Sequence, residues 1–230
     1  VIGRRWWHTA LWWAVTVISL GVFLLPVIWL VMTSFKGPQD VTAYPPKLLF
    51  TPTLENYQAV LSGNTQIRPG DYVPANPFFP QQLMNSTIAS FSAALVCLVV
   101  GSPAAYVLSR LRFRGKRDLG FFILGSRFVP PIAIVVPVFT LYAAIGWNNT
   151  LFGLIVAYVA MNLGFVVWIL KGFFDEIPDE IDDAALVDGC SRFGAFWRVT
   201  LPLTKAGLVA TAILTVFFVW NEFLFALVLT

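Results

Sequence analysis

Residues 151–170 read LFGLIVAYVAMNLGFVVWIL, twenty positions without one charge. At 1.5 Å per residue a helix of that length covers about 30 Å, the hydrocarbon thickness of a bilayer. Four more apolar runs lie on either side, at residues 9–31, 83–108, 119–145 and 207–230, and within all five only Arg127 and Glu222 carry charge. Bare backbone cannot face lipid, so each run must be a helix or a closed-barrel strand. Their length and lack of strict alternation exclude the barrel. The expected fold class is therefore all-α, a polytopic membrane helix bundle.

Composition agrees. Hydrophobic residues make up 58% of the 230 positions and charged residues 12%, about half the charged share usual in soluble domains. No soluble core of this size hides so much apolar surface. The first run follows Arg4 and Arg5, as a signal peptide would. It is too long for a signal core and no small-x-small cleavage site follows, so it reads as a retained span kinked at Pro26. Between the third and fourth runs, Gly146-Trp147-Asn148-Asn149 is short enough to make a helical hairpin. Pro130, Pro131 and Pro137 should bend the third span.

Lysine and arginine placement sets orientation. Residues 109–118 hold five basic side chains, Arg110, Arg112, Arg114, Lys116 and Arg117, and residues 171–206 add Lys171, Arg192, Arg198 and Lys205. The long proline-rich loop 34–80 has only Lys36, Lys47 and Arg68. By the positive-inside rule the N-terminus and both basic loops are cytoplasmic, and 34–80 is external. The net charge of +3 thus comes from orientation signals, and nucleic acid is not an expected partner. His8 is the single histidine, and Cys97 and Cys190 lie in unrelated surroundings, so no metal site and no disulfide are expected. Asn85-Ser86-Thr87 and Asn148-Asn149-Thr150 match the N-glycosylation pattern, but both lie at membrane edges and carry no weight.

The cytoplasmic loop 172–206 is the informative one. Seven of the twelve acidic residues fall within positions 175–189. Pro178 suits a first helical turn, the acids after it favour the positive end of the helix dipole, and Gly189 suits the residue that ends the helix. A second helix starts at Ser191-Arg192, and Pro202 terminates it. On the first, Ile181, Ala184, Ala185 and Asp188 share a narrow face. A helix lying on lipid headgroups would carry lysine and arginine. This one carries acids, which favours a dock on another protein.

Inside the membrane, Glu222 has three readings: a functional carboxylate, a structural partner for a polar group on a neighbouring helix, or a carboxylate near the headgroups where water reaches it. Arg127 is expected to snorkel toward the cytoplasmic interface. Asn162 and Asn221 have the chemistry to bond a polar solute, though bonding across helices is the commoner use. Glu222, Asn221 and Asn162 are the candidate translocation-path residues.

Asp183-Ala184-Ala185-Leu186-Val187-Asp188-Gly189, followed by Phe196-Trp197-Arg198-Val199-Thr200-Leu201-Pro202, resembles the E-A-A…G coupling loop of permeases in binding-protein-dependent ABC importers. Asn85-Ser86, the stretch 105–115 (AYVLSRLRFRG), Arg127-Phe128-Val129-Pro130-Pro131 and Trp220-Asn221-Glu222-Phe223 resemble the carbohydrate (maltose-type) branch, in particular its smaller permease subunit. The resemblance covers nearly the whole chain. It implies a sugar or sugar-like solute, a second permease subunit, two ATPase subunits that bind ATP and magnesium, and an extracytoplasmic solute-binding protein, in a bacterial inner membrane. Carried over by position, Asp183, Ala184, Ala185, Asp188 and Gly189 would dock the ATPase. Aspartate at 183 stands where the family usually has glutamate, one methylene shorter. The stretch 62–79 is longer than in the family, and a sixth span is expected beyond Thr230.

No G-x-x-x-x-G-K-[ST] occurs, so this chain has no P-loop and is not expected to be an enzyme. Two rivals remain. A stand-alone ion-coupled transporter would show several intramembrane acids or an inverted repeat, and only Glu222 is present. A membrane-embedded transferase would need the acids of 175–188 for chemistry, where two alanines and a closing glycine fit docking better.

Overall fold

The computed structural model describes residues 6–62 and 78–230. The chain divides into two compact units, one up to Gln82 and one from Leu83 onward. In the first, α1 (Trp6–Ser34) is a single long helix with Pro26 inside it. Its large apolar side chains, Trp12, Trp13, Phe23 and Leu30 among them, are exposed, as suits a helix solvated by lipid. Two short helices follow, α2 (Pro38–Val41) and α3 (Glu55–Ser62). The Asn56 amide donates to the carbonyls of Ser34 and Lys36 at 3.0 and 2.8 Å, which fastens the following loop to the end of α1. Of the long stretch 62–79, positions 63–77 lie outside the described residues.

The second unit holds most of the bundle. It contains α4 (Phe79–Arg110, its first turn shared with the first unit), α5 (Lys116–Gly125), α6 (Pro131–Ile145), α7 (Leu151–Asp175), α8 (Asp179–Val187) and α9 (Arg192–Ala195). After a wide π-turn (Phe196–Thr200) come α10 (Leu201–Leu203), α11 (Lys205–Trp220) and α12 (Leu224–Leu229). Among the described residues three helices, α1, α4 and α7, are long and apolar enough to cross a membrane alone, and the number is five if each of two bent pairs is one span.

A stripe of small residues on α4, Ala89, Ala93, Cys97, Gly101 and Ala105, is buried at four-residue spacing. Small side chains let helices approach closely where no hydrophobic effect drives them together. Beside Gly101 lie Leu163, Val166 and Val167 of α7. On α7 itself Gly164 is obligatory, since a Cβ there would sit 2.5 Å from the Ile123 carbonyl oxygen of α5.

The third span is bent, as its prolines lead one to expect, and more sharply than a kink. Helices 116–128 and 131–145 meet at 90°. Val129 precedes Pro130 and Pro130 precedes Pro131; both take extended backbone, with ψ of 123° and 127°, because a following proline ring disfavours the helical region. Two consecutive prolines thus break the span, whereas Pro137 stays inside α6. The run 207–230 is not one helix either. It unwinds over Asn221-Glu222-Phe223 before α12. As a result the hairpin expected from residues 119–145 and 151–170 is only half realised. α5 packs on α7, while the main neighbour of α6 is α12, which also touches α7. The turn between α6 and α7 holds Gly146 and Asn149 at positive φ, 74° and 56°, and Asn149 N–H donates to the Leu229 carbonyl at 2.6 Å.

Candidate functional site

In the second unit, two places bring candidate functional residues together. The first is α8. Pro178 occupies the position before its first residue, Asp179 and Glu180 fill the first turn, and Asp188 caps the end. Gly189 has φ of +88°, a left-handed value that costs a side-chained residue about 1–2 kcal/mol. It closes a Schellman motif, with Gly189 N–H donating to Leu186 and Cys190 N–H donating to Ala185. Ser191 then caps α9 by accepting from Gly194 N–H at 3.1 Å. Pro202 does not stop that helix at once. The π-turn just before it widens the coil where the proline ring would meet the carbonyl four residues back, and a 75° bend follows at Thr204–Lys205.

The face of Ile181, Ala184, Ala185 and Asp188 is divided. Ala185 turns inward and is buried; Asp183, Ala184, Asp188 and Gly189 are exposed. Val187, 88% exposed, and Phe193 and Trp197 in the following turns add apolar surface. The inward side holds a residue that spacing alone did not single out. Asp182 is buried and accepts from the Tyr106 hydroxyl at 3.1 Å, from Arg110 Nε at 2.5 Å and from the Thr200 hydroxyl. Arg110, whose side chain is 6% exposed, also reaches Asp179 at 3.0 Å and donates to the Ile177 carbonyl at 2.8 Å. Beside it, Ser109 donates to Asp175 at 2.7 Å. The sequence did mark Arg110 as an orientation charge. The i, i+4 spacing of Tyr106 and Arg110 on α4 was the available sign of a polar face.

The second place is a cavity of about 250 Å³ at the two span breaks, lined by Ser126, Arg127, Pro131, Met161, Asn162, Phe218 and Glu222. Asn162 and Glu222 therefore share one site. Asn221 does not join them; it is exposed, and its amide donates to the Phe217 carbonyl at 2.8 Å. Arg127 corrects the snorkelling expectation. Its Nη1 donates to Asn162 Oδ1 at 3.1 Å and to the Met161 carbonyl at 3.4 Å. The guanidinium lies 5.2 and 5.0 Å from the ring centres of Phe165 and Phe218. The hydrogen-bond and cation–π partners on α7 and α11 hold it within the bundle. Glu222 accepts the Phe225 N–H through both carboxylate oxygens at 3.1 Å, which caps α12 where α11 has ended. Unwound backbone at membrane depth is tolerated where it is buried in protein or lines a cavity, and both breaks meet at this one.

Comparison with known proteins follows the same lines. The family model for the binding-protein-dependent transport system inner membrane component matches residues 81–230. The trehalose/maltose transport system permease protein MalG of Thermococcus litoralis is 36% identical over 91% of this chain and 71% of its own length. The trehalose transport system permease protein SugB of Mycobacterium tuberculosis is 36% identical over 96% and 76%, and the probable ABC transporter permease protein y4oR of Sinorhizobium fredii is 34% identical over 91% and 70%. A chain of a bacterial ABC transporter that imports the polysaccharide alginate shares the fold, with a TM-score of 0.74 at 22% identity, covering all of this chain and 76% of that one. With its apolar helices and this family match, the chain is a multi-pass inner-membrane transport protein, and it belongs to the permeases of binding-protein-dependent ABC importers.

Proposed function

We propose that this permease imports a sugar or sugar-like solute in a bacterial inner membrane, paired with a second permease, two ATPase subunits that hydrolyse ATP with magnesium, and an external solute-binding protein. The observation that carries this reading is the exposed face of α8. Asp183, Ala184, Asp188 and Gly189 project outward from a helix whose other side is fixed to the bundle. Small Ala184 beside Asp183 and flexible Gly189 beside Asp188 suit a groove with basic walls, and Val187 supplies apolar contact. Ala185, being buried, supports the helix from behind. The sugar class is supported by relatives named for trehalose and maltose.

The cavity between the span breaks is the part of the solute path that this subunit offers. Glu222 supplies acceptors and Arg127 donors for hydroxyl groups, and the Phe218 ring offers an apolar face for the C–H surface of a pyranose. Gentle purification of the tagged chain from its native membrane, with mass spectrometry of its companions, tests the assembly. A P-loop ATPase and a second permease in stoichiometric amounts are expected. A folded chain recovered alone, or only with copies of itself, contradicts the importer and favours a stand-alone transporter.

A further inference from the structure

We propose that the cluster of Arg110, Asp182, Tyr106 and Thr200 is the joint through which movement of α8 is passed to α4 and to the π-turn leading into α11, and that Arg110 and Asp182 are its positioning residues. The inference rests on the importer reading above.

The geometry is that of a clamp. α8 is attached to α7 through residues 176–178 and to α9 through 188–191, both short links outside the helices. Arg110 sits at the last residue of α4 and grips the start of α8 at three successive points, the Ile177 carbonyl, Asp179 and Asp182. A planar guanidinium holds several acceptors in fixed directions, which a lysine ammonium does not. Asp182 in turn joins three elements: Tyr106 and Arg110 of α4, its own helix, and Thr200 of the π-turn. The partners are 72 and 18 residues distant in the chain, so the contacts add links that covalent connection does not provide. Directional bonds of charged groups resist both rotation and translation. Apolar packing in their place would let α8 slide.

Position gives the joint its consequence. The exposed side of α8 is the docking face, and the clamp is on the opposite side of the same short helix. A displacement imposed on the outer face therefore reaches α4, whose buried stripe of small residues runs the length of the second unit's core, and the bent segment at the start of α11.

The test uses the whole complex in lipid nanodiscs, with the binding protein purified carrying its bound solute as the probe. Asp182→Asn keeps the shape and removes the charge. The double change R110M/D182L removes both charges, so no buried ion is left unpaired. The double variant is expected to copurify with both partners in wild-type stoichiometry while stimulation of ATP hydrolysis by the loaded binding protein is lost. D182N is expected to lower stimulation without loss of assembly. Wild-type stimulation in an assembled double variant would overturn the joint and leave the cluster a structural staple. Loss of assembly in the double variant, with its charges removed together, would likewise reduce it to holding the fold. A wild-type chain that brings down no ATPase contradicts the importer reading instead, before any variant is compared.

Discussion

Arg110 and Arg127 both stand where a helix of the bundle ends, and their surroundings are opposite. Arg110 is saturated with full and partial negative charge, two carboxylates and a carbonyl. Arg127 is held by a neutral amide, a carbonyl and two aromatic rings, on the wall of a cavity it shares with Glu222. The difference separates a charge that holds structure from one that is available. A buried ion pair fixes geometry because breaking it strands a charge. Contacts with amide and ring are weaker, and on the proposed reading they exchange for a solute's hydroxyls.

The contrast can be broken in order of size. Asp182→Ala should be the most damaging single change, about 3–5 kcal/mol, since it leaves Arg110 buried with the outlying Asp179, the Ser109 hydroxyl and backbone. Thermal unfolding of the purified complex reads it, and a cost near zero would show that the cluster is not a clamp. Gly164→Ala should come next, about 1–3 kcal/mol, because its new Cβ overlaps the Ile123 carbonyl. A wild-type melting curve there would mean that α5 can move off α7 freely, and the cavity wall would not be rigid. Arg127→Met should disturb stability least, about 1 kcal/mol from the freed Asn162 oxygen. Uptake of solute should nevertheless slow about tenfold, as loss of one hydrogen bond from a charged group implies. If stability falls as far as with Asp182→Ala while uptake per folded complex is unchanged, Arg127 is structural and the comparison fails.

The spans were legible because lipid imposes a rule on every residue of a run: few charges over about 20 positions. The loop around 175–189 was legible for a similar reason, since its acids, its proline and Gly189 are local signals of a capped helix. What escaped depends on groups far apart in sequence. Nothing near Asp182 distinguishes it from Asp183; its burial is decided by Arg110 on α4 and Thr200 beyond α9. The prolines at 130 and 131 announced a bend, but two in succession remove the helical region from Val129 and Pro130 both, which turns a bend into a right angle. The second break, at Asn221-Glu222-Phe223, contains neither proline nor glycine. It is held by Glu222 capping α12, a contact visible only once the helix has already ended. Asn162 and Glu222 were singled out from polarity alone, and the structure joins them. Asn221, singled out on the same ground, is turned away.

Docking through the outer face of α8 is the central claim, and site-specific cross-linking tests it most directly. Cys97 is buried and Cys190 partly so, so Cys190→Ser with Ala184→Cys leaves one accessible thiol, on the outer side of α8. Mild oxidation or a short bifunctional reagent, applied in native membranes whose ATPase carries single cysteines along its groove, should give a product containing this chain and the P-loop ATPase. The yield should change with ATP. A thiol at 184 that reacts freely with a soluble maleimide in the assembled complex, and forms no such product from any groove position, would contradict the account.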